Sequence, residues 1–181
     1  MSDRPIIFSA PMVRALLDGR KTMTRRYAWR IEKGDDAECF PTIWQRVKPG
    51  DRLWVRESFA RPKGGSIFYR TDSFAAGLTW HPSIHMRRDY SRLTLIVTAT
   101  RIEWLWSISE NDCLAEGIPP ITLEGAWTKP LPEKPNTRAI YGGAFCKLWN
   151  DLHGPGSWDA NPEVVALTFT VHKGNIDRSA P

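Results

Sequence analysis

The chain has 181 residues and a net charge of +5; 41% of its residues are hydrophobic and 25% are charged. These values are typical of a soluble protein with one domain, and no apolar run approaches the roughly 20 residues that a bilayer span needs. The first residues lack the layout of a signal peptide, and three widely separated cysteines are typical of reduced thiols. We therefore expect a cytoplasmic protein that does not contact a membrane.

The first half of the sequence predicts one helix and several short strands. Residues 6–8 are apolar and predict a strand, after which Ser9 can cap a helix. A turn at 49–51 precedes a strand at 53–56, where apolar and polar residues alternate. Residues 67–69 predict a further short strand.

The second half predicts a long strand, two helices and a final strand. Residues 93–100 alternate over the length of a strand, and Ser109 followed by Asp112 resembles the capping box of a short helix. Residues 145–152 have the apolar spacing of a helix, and 165–171 alternate again. Short strands mixed with three short helices indicate an α+β fold with a small mixed sheet or barrel.

We expect a single domain over residues 1–172 with three loop insertions. The insertions lie at about 28–48, 60–90 and 119–140, where prolines, glycines and polar residues interrupt the patterns. Residues 173–181 are expected to form a flexible tail.

Positive charge is concentrated near the start of the chain. Residues 13–30 contain six basic side chains and one acidic side chain, namely Arg14, Arg20, Lys21, Arg25, Arg26, Arg30 and Asp18. A local excess of this kind is typical of a site for phosphate or another anion, and also of a solvated face.

The segment Gly19–Arg26 carries the densest chemistry, with an amine, two hydroxyls and three guanidinium groups. It is not a phosphate-binding P-loop, because the upstream glycines are missing and it follows a helix instead of a strand. His81 and His85 have the spacing of metal ligands, but Pro82 disfavours the helix that this spacing requires. The sequence predicts neither a metal nor a cofactor.

In combination, these segments resemble the ASCH domain family, in a branch found in bacteria and prophages. The resemblance rests on the helix before Gly19–Arg26 and on the segments Gly50–Val55, Leu93–Glu103 and Glu110–Ile118. Trp80, Pro82–Met86 and the ending 161–169 are similar to the bacterial and prophage branch.

The resemblance implies a PUA-like β-barrel flanked by short helices, with a cleft that binds RNA or a nucleoside. The motif is similar to that of the bacterial acetylcytidine amidohydrolases, which use a lysine, a threonine and a glutamate. By position in the motif these are Lys21, Thr24 and Glu116, with Glu110 as the fallback for the glutamate. The present chain is much longer than that family, and its insertions leave the substrate open.

The chemistry of this trio is consistent with amide hydrolysis. A threonine hydroxyl becomes a nucleophile when a base takes its proton, and a lysine is such a base only when its pKa is lowered. Thr24 is therefore the expected nucleophile, Lys21 the base or activator, and Glu116 the general acid/base. The expected substrate-binding residues are Arg25, Arg26, Glu57 and His85, although His85 has packing as an equal alternative.

Three functions follow from these observations. The first is an amidohydrolase acting on an N-acylated nucleoside or a similar small amide. The alternative is an RNA-binding or weakly ribonucleolytic module without amidase activity, in which arginines bind phosphates and aromatic side chains stack on bases. The third is an accessory protein of phage origin that binds a host protein. The sequence leaves the oligomeric state open.

Overall fold

The computed structural model describes residues 2–31, 38–62, 64–72, 77–119 and 140–178. The chain divides into two compact units. Unit 1 comprises Met1–Gly19, Lys48–Ala99 and Phe169–Pro181, and unit 2 comprises Arg20–Val47 and Thr100–Thr168.

The described residues combine helices with sheets, and most strands follow one another without a helix between them, as in the α+β class. The strands are β1 (Asp3–Ile7), β2 (Met23–Tyr27), β3 (Trp29–Ile31), β4 (Cys39–Pro41), β5 (Arg52–Arg56), β6 (Phe59–Ala60), β7 (Phe68–Tyr69), β8 (Thr94–Trp104) and β9 (Glu163–His172). The helices are α1 (Ala10–Leu17), α2 (Glu110–Ala115) and α3 (Ile140–His153). Short 3-10 turns occur at Ile43–Arg46, Ser83–His85, Arg88–Tyr90 and Leu105–Ser107. Within the described ranges, no helix has both the length and the apolarity to cross a membrane.

The main sheet has five strands in the order β1-β5-β8-β9-β2, and β8 and β9 each run from one unit into the other. β1 pairs with β5 in parallel, whereas β5 pairs with β8, and β2 with β9, in antiparallel fashion. Two-stranded sheets are formed by β3 with β4 and by β6 with β7. The predicted insertions at 28–48 and 60–90 therefore contain regular structure, while nearly all of the third lies outside the described residues.

Unit 1 has an apolar core supplied by the alternating residues of its strands. Leu53, Val55 and Leu95 are fully buried, as the period of two predicts. α1 follows Ser9, although the Ser9 side chain makes no capping hydrogen bond, and Val13 and Leu16 face the core.

The end of the chain is anchored in unit 1, up to residue 178. Ile176 is buried, and the Asn175 side-chain amide donates to the carbonyl oxygens of Arg88 and Ser91, both at 2.8 Å. These contacts differ from the flexible tail that the sequence suggests, because one buried isoleucine and one fully bonded amide hold residues 173–178 in place.

Unit 2 packs α2 and α3 around a cluster of buried apolar side chains. Its members are Leu105, Ile108, Cys113, Ile118, Phe145, Trp149, Trp158 and Val164. The predicted capping box is present: the Ser109 hydroxyl accepts from the Asp112 N–H at 3.1 Å, and the Asp112 carboxylate accepts from the Ser109 N–H at 3.4 Å. α2 therefore begins where the sequence predicts, and α3 begins five residues earlier than the prediction.

Candidate active site

The Gly19–Arg26 motif enters unit 2 beside the end of α2. Gly19 ends the first helical segment with φ +73°, a backbone angle that glycine adopts without strain. Lys21 then forms an isolated antiparallel bridge with Glu116, and the Thr22 N–H donates to the Ala115 carbonyl oxygen at 2.8 Å. This backbone pairing brings the motif against α2, although 95 residues separate Lys21 from Glu116.

The Lys21 ammonium is buried and bonded on all sides. Its Nζ donates to Glu116 Oε2 at 2.8 Å, to the Glu116 carbonyl oxygen at 2.7 Å and to the Met23 carbonyl oxygen at 2.8 Å. Burial lowers the pKa of Lys21, the charges of Arg26 and Arg25 lower it further, and Glu116 opposes the shift. The structure thus joins two members of the predicted trio in one buried ion pair, and it favours Glu116 over the exposed Glu110.

Arg25 holds the carboxylates of this cluster in place. Its guanidinium binds Glu103 through Nε and Nη2, Asp112 through Nη2 at 2.8 Å, and Glu116 through Nη1 at 3.3 Å. The fifth N–H contacts the sulfur of Met23. Since a guanidinium has five N–H donors, none is left for a ligand, and we assign Arg25 a structural role in place of the predicted substrate contact.

Thr24 lies on β2 opposite Leu167, and its side chain is buried. Its Oγ1 accepts a hydrogen bond from Arg26 Nη1 at 3.0 Å. The partner of the Thr24 hydroxyl is therefore Arg26, not Lys21, and Arg26 links the hydroxyl to a neighbouring cavity.

A cavity in unit 2 has a volume of about 1010 Å³, and its wall contains three tryptophans and a tyrosine. Its lining includes Arg26, Arg30, Trp29, Trp44, Trp104 and Glu163. The Arg26 guanidinium lies 5.8 Å from the centre of the Trp44 ring, and Trp29 Nε1 donates to Glu163 Oε2 at 2.6 Å. Trp29 and Trp104 are 39% and 56% exposed, so their rings remain accessible. Cavities of this size hold small organic ligands.

His153 lies at the edge of the same cavity, at the end of α3. The residue is exposed, but its ring also packs against two aromatic side chains. The ring centres lie 4.7 Å apart for Tyr27 and 4.2 Å apart for Trp149. This desolvation lowers the pKa of His153, and the positive charge of Arg26 adds to the effect. The imidazole is therefore neutral at physiological pH.

Glu57 and His85, the other two predicted substrate residues, belong to unit 1. The buried Glu57 carboxylate accepts from Thr71 Oγ1 at 2.5 Å and from Arg92 Nε at 2.9 Å, which is typical of a structural ion pair. His85 is exposed in a 3-10 turn, where its N–H donates to the Pro82 carbonyl oxygen. The substrate contacts of both residues stay predictions.

Sequence reasoning missed Glu103 and Asp112 as partners of Arg25, and Trp29 and Trp44 as cavity walls. The signal for Asp112 was its place in the capping box, but nothing in its spacing indicates a second partner 87 residues away. Among the described residues, no group of three or more His, Cys, Asp or Glu side chains is arranged to hold a metal ion.

Comparison with known proteins identifies no family for this chain. No family model matches this chain, and no curated protein matches it. One solved structure is similar, that of protein EF3133 from Enterococcus faecalis V583, described by the family model DUF984. It covers 100% of this chain and 86% of its own, at 13% sequence identity and a TM-score of 0.46. A likeness at that level carries no argument about fold or function, so both rest on this chain's own residues.

Proposed function

We propose that this protein is an ASCH-type amidohydrolase with a PUA-like barrel, and that it acts on an N-acylated nucleoside. Two observations carry the proposal. The motif that contains Thr24 also forms the buried Lys21–Glu116 ion pair, and Arg26 joins the Thr24 hydroxyl to an aromatic cavity. The free cysteines of the described residues are in keeping with the proposed cytoplasmic location.

The cavity offers two kinds of contact that a nucleoside needs. Trp29, Trp44 and Trp104 supply flat apolar faces on which a base stacks, and the volume is large enough for a base and a ribose. Arg26 and Glu163 supply a donor and an acceptor at the wall. The base is then held in the cavity, while its acylated amino group reaches Arg26.

Arg26 is the proposed oxyanion group. Its Nη1 lies 3.0 Å from Thr24 Oγ1, so a substrate carbonyl attacked by this hydroxyl develops its negative charge next to the guanidinium. The predicted substrate contact of Arg26 is thereby retained with a defined chemical role.

The reaction proceeds through an acyl-threonine. Thr24 Oγ1 forms a bond to the amide carbonyl carbon while its proton passes to the Lys21–Glu116 pair. This transfer requires the hydroxyl, which accepts from Arg26 in the structure, to turn towards the pair when substrate binds. The C–N bond then breaks, and the same proton leaves with the amine of the nucleoside. Water attacks the ester next, releases the carboxylic acid and returns a proton to Thr24.

The decisive experiment incubates the purified chain with acetylcytidine and detects cytidine by mass. Thr24→Val is expected to abolish turnover, because the hydroxyl is lost while the shape is kept, and Thr24→Ser to retain part of it. Thr22→Val is the matched control, since the same substitution two residues away leaves the Thr22 backbone bond to Ala115 intact. Full activity of Thr24→Val would exclude the acyl-threonine.

A second variant separates the roles of the ion pair. Lys21→Arg keeps the positive charge but removes a group that can act as a base. Loss of activity identifies Lys21 as the base. In that case the rate of the wild type should rise with pH through the lowered pKa of Lys21. Retained activity identifies Glu116 as the base. The rate of the wild type should then reach its plateau already at acidic pH.

The exposed tryptophans favour one other candidate, an RNA-binding module without amidase activity. Exposed indole rings beside arginines are the usual components of a surface that stacks on unpaired bases. In that case Trp104→Ala weakens RNA binding, and no acylated nucleoside is converted by the wild type.

A further inference from the structure

The second half of the proposed reaction needs a base that water can reach. Hydrolysis of the acyl-threonine begins when a water molecule attacks the ester carbon and loses a proton. The Lys21–Glu116 pair is poorly placed for this step, because both side chains are almost fully buried and Lys21 Nζ already donates to three oxygen atoms. The base is therefore to be sought in the wall of the cavity, whose tryptophans Trp29 and Trp104 are accessible to solvent.

Ionisable side chains reach this cavity from four strands and one helix: Arg26 and Tyr27 on β2, Arg30 on β3, Cys39 on β4, Glu163 on β9 and His153 on α3. Guanidinium groups stay protonated, and burial raises the pKa of Tyr27, so none of these groups accepts a proton at neutral pH. Glu163 Oε2 already accepts from Trp29 Nε1 at 2.6 Å. Since thiols are mostly protonated at neutral pH and carboxylates are weaker bases than a neutral imidazole, His153 suits the step best.

The backbone at the end of α3 fixes the place of His153. The helix ends at this residue, and Gly154 follows with φ +101°, a left-handed conformation that glycine adopts without strain. The Gly154 N–H donates to the Asn150 carbonyl oxygen at 2.9 Å and so closes the last turn. Because the imidazole also packs against the rings of Tyr27 and Trp149, its orientation is restricted.

The cavity connects His153 with the nucleophile through Arg26. Both His153 and Arg26 line the cavity, and Arg26 Nη1 lies 3.0 Å from Thr24 Oγ1. An acyl group on Thr24 is therefore attacked by water that enters from the side of the imidazole. Desolvation lowers the pKa of His153, and the charge of Arg26 adds to the effect, so the imidazole is neutral and ready to accept a proton.

We propose that His153 is the general base of the deacylation step. A water molecule in the cavity forms a bond to the carbonyl carbon of the acyl-threonine, while its proton passes to the imidazole and the carbonyl electrons move to the oxygen beside Arg26. The carbonyl then re-forms, the bond from carbon to Thr24 Oγ1 breaks, and the imidazolium returns the proton to Oγ1. The carboxylic acid leaves. This inference rests on the proposed amidohydrolase function and adds a catalytic residue to it.

The test compares His153→Gln with the wild type in rapid mixing with acetylcytidine. Acylation does not use His153, so the variant should release about one cytidine per chain at the wild-type rate and then turn over about 100-fold more slowly. Both kcat and KM should fall, while kcat/KM, which reports acylation, stays unchanged. Intact mass should show a chain that carries one acetyl group. His172→Gln, at an exposed position of unit 1, is the matched control and should behave as the wild type.

Two further measurements separate a lost base from a distorted site. Hydroxylamine attacks an ester without the help of a base, so it should accelerate His153→Gln far more than the wild type and release the acyl group as the hydroxamate. In the wild type, kcat should rise with pH through the lowered pKa of His153 and reach a plateau below neutral pH. This rise should be absent from the kcat profile of His153→Gln.

Failure of this inference and failure of the proposed function give different results. A wild type that converts no acylated nucleoside removes the proposed function, and this inference with it. A wild type that converts acetylcytidine, beside a His153→Gln variant with the same kcat and no trapped acetyl group, overturns this inference alone. His153→Asn is measured in parallel, together with the melting temperature of both variants. Loss of the cytidine burst in a variant that melts as the wild type does would place His153 in the first step and also overturn the proposal.

Discussion

Both units contain clustered arginines, and one group in each unit shows how differently their charge is balanced. In unit 2, Lys21 and Arg25 turn inward and meet Glu103, Asp112 and Glu116. In unit 1, Arg61 and Arg70 are exposed and lie against the rings of Tyr90 and Trp80. A count of charges along the sequence does not distinguish these cases, because the neutralising carboxylates lie about 80 to 95 residues away from the basic motif.

The difference bears on the +5 segment at residues 13–30, for which the sequence leaves an anion site and a solvated face open. That segment is typical of an anion site by composition, yet two of its cations are neutralised within the fold. A buried ion pair contributes little to attraction of a distant ligand, whereas an exposed unpaired arginine contributes fully. A binding site for an anion is therefore best assigned after the ion-pair partner of each basic residue is known.

The strongest test of this contrast is Arg25→Ala. It removes a buried cation and leaves three carboxylates to share less positive charge, so we expect the free energy of unfolding to fall by about 3–5 kcal/mol. Urea denaturation measures the change. Arg61→Ala, the matched control at an exposed position of unit 1, is expected to change it by less than about 0.5 kcal/mol. Equal effects of the two variants would remove the contrast.

An intermediate effect on stability is expected from Arg92→Ala. This variant shows whether the cost of removing an arginine depends on its ion pair or on the unit in which it lies. Arg92 is only partly buried, but its removal leaves the buried Glu57 with the Thr71 hydroxyl as its remaining partner. We expect a loss of about 1–3 kcal/mol in the free energy of unfolding. Arg87→Ala is the control from the same segment, and a loss no larger than that of Arg87→Ala would mean that water replaces Arg92 at no cost.

The smallest effect concerns His153 and pH. Its pKa is lowered in the folded protein, so the unfolded chain takes up a proton first as the pH falls below about 6.5. Stability is therefore lost with falling pH through this window, by only a few tenths of a kcal/mol because the ring is partly in solvent. An NMR titration should find the pKa of His153 below its usual value, and closer to it in Arg26→Gln. A normal pKa in the wild type would contradict the desolvation.

Local patterns predicted much of the secondary structure. The start of α1, the capping box of α2 and the alternation of β5 and β9 depend on neighbouring residues, which the sequence displays directly. β2 was not predicted, because a run of basic and hydroxylated residues has the composition of a loop. Its backbone forms a strand because β9 pairs with it and because distant carboxylates neutralise Arg25.

The candidate site was predicted in part for the same reason. The family resemblance identified Lys21 and Glu116, which the structure brings within 2.8 Å of each other. The role of Arg25 and the aromatic cavity depend on contacts between segments that no local pattern connects. The distinction between Arg25 and Arg26 is an example: they are adjacent on one strand, yet Arg25 binds three carboxylates and Arg26 lines the cavity.

Asp112 ties the first turn of α2 to the charge cluster. The same carboxylate accepts the Ser109 N–H of the capping box and binds Arg25 at 2.8 Å. α2 has only six residues, too few for a helix that is stable in isolation. Fraying of this turn requires Asp112 to leave Arg25, so its amide hydrogens exchange with solvent only in openings that also break the cluster. We therefore expect this short helix to show hydrogen exchange as slow as that of a core strand.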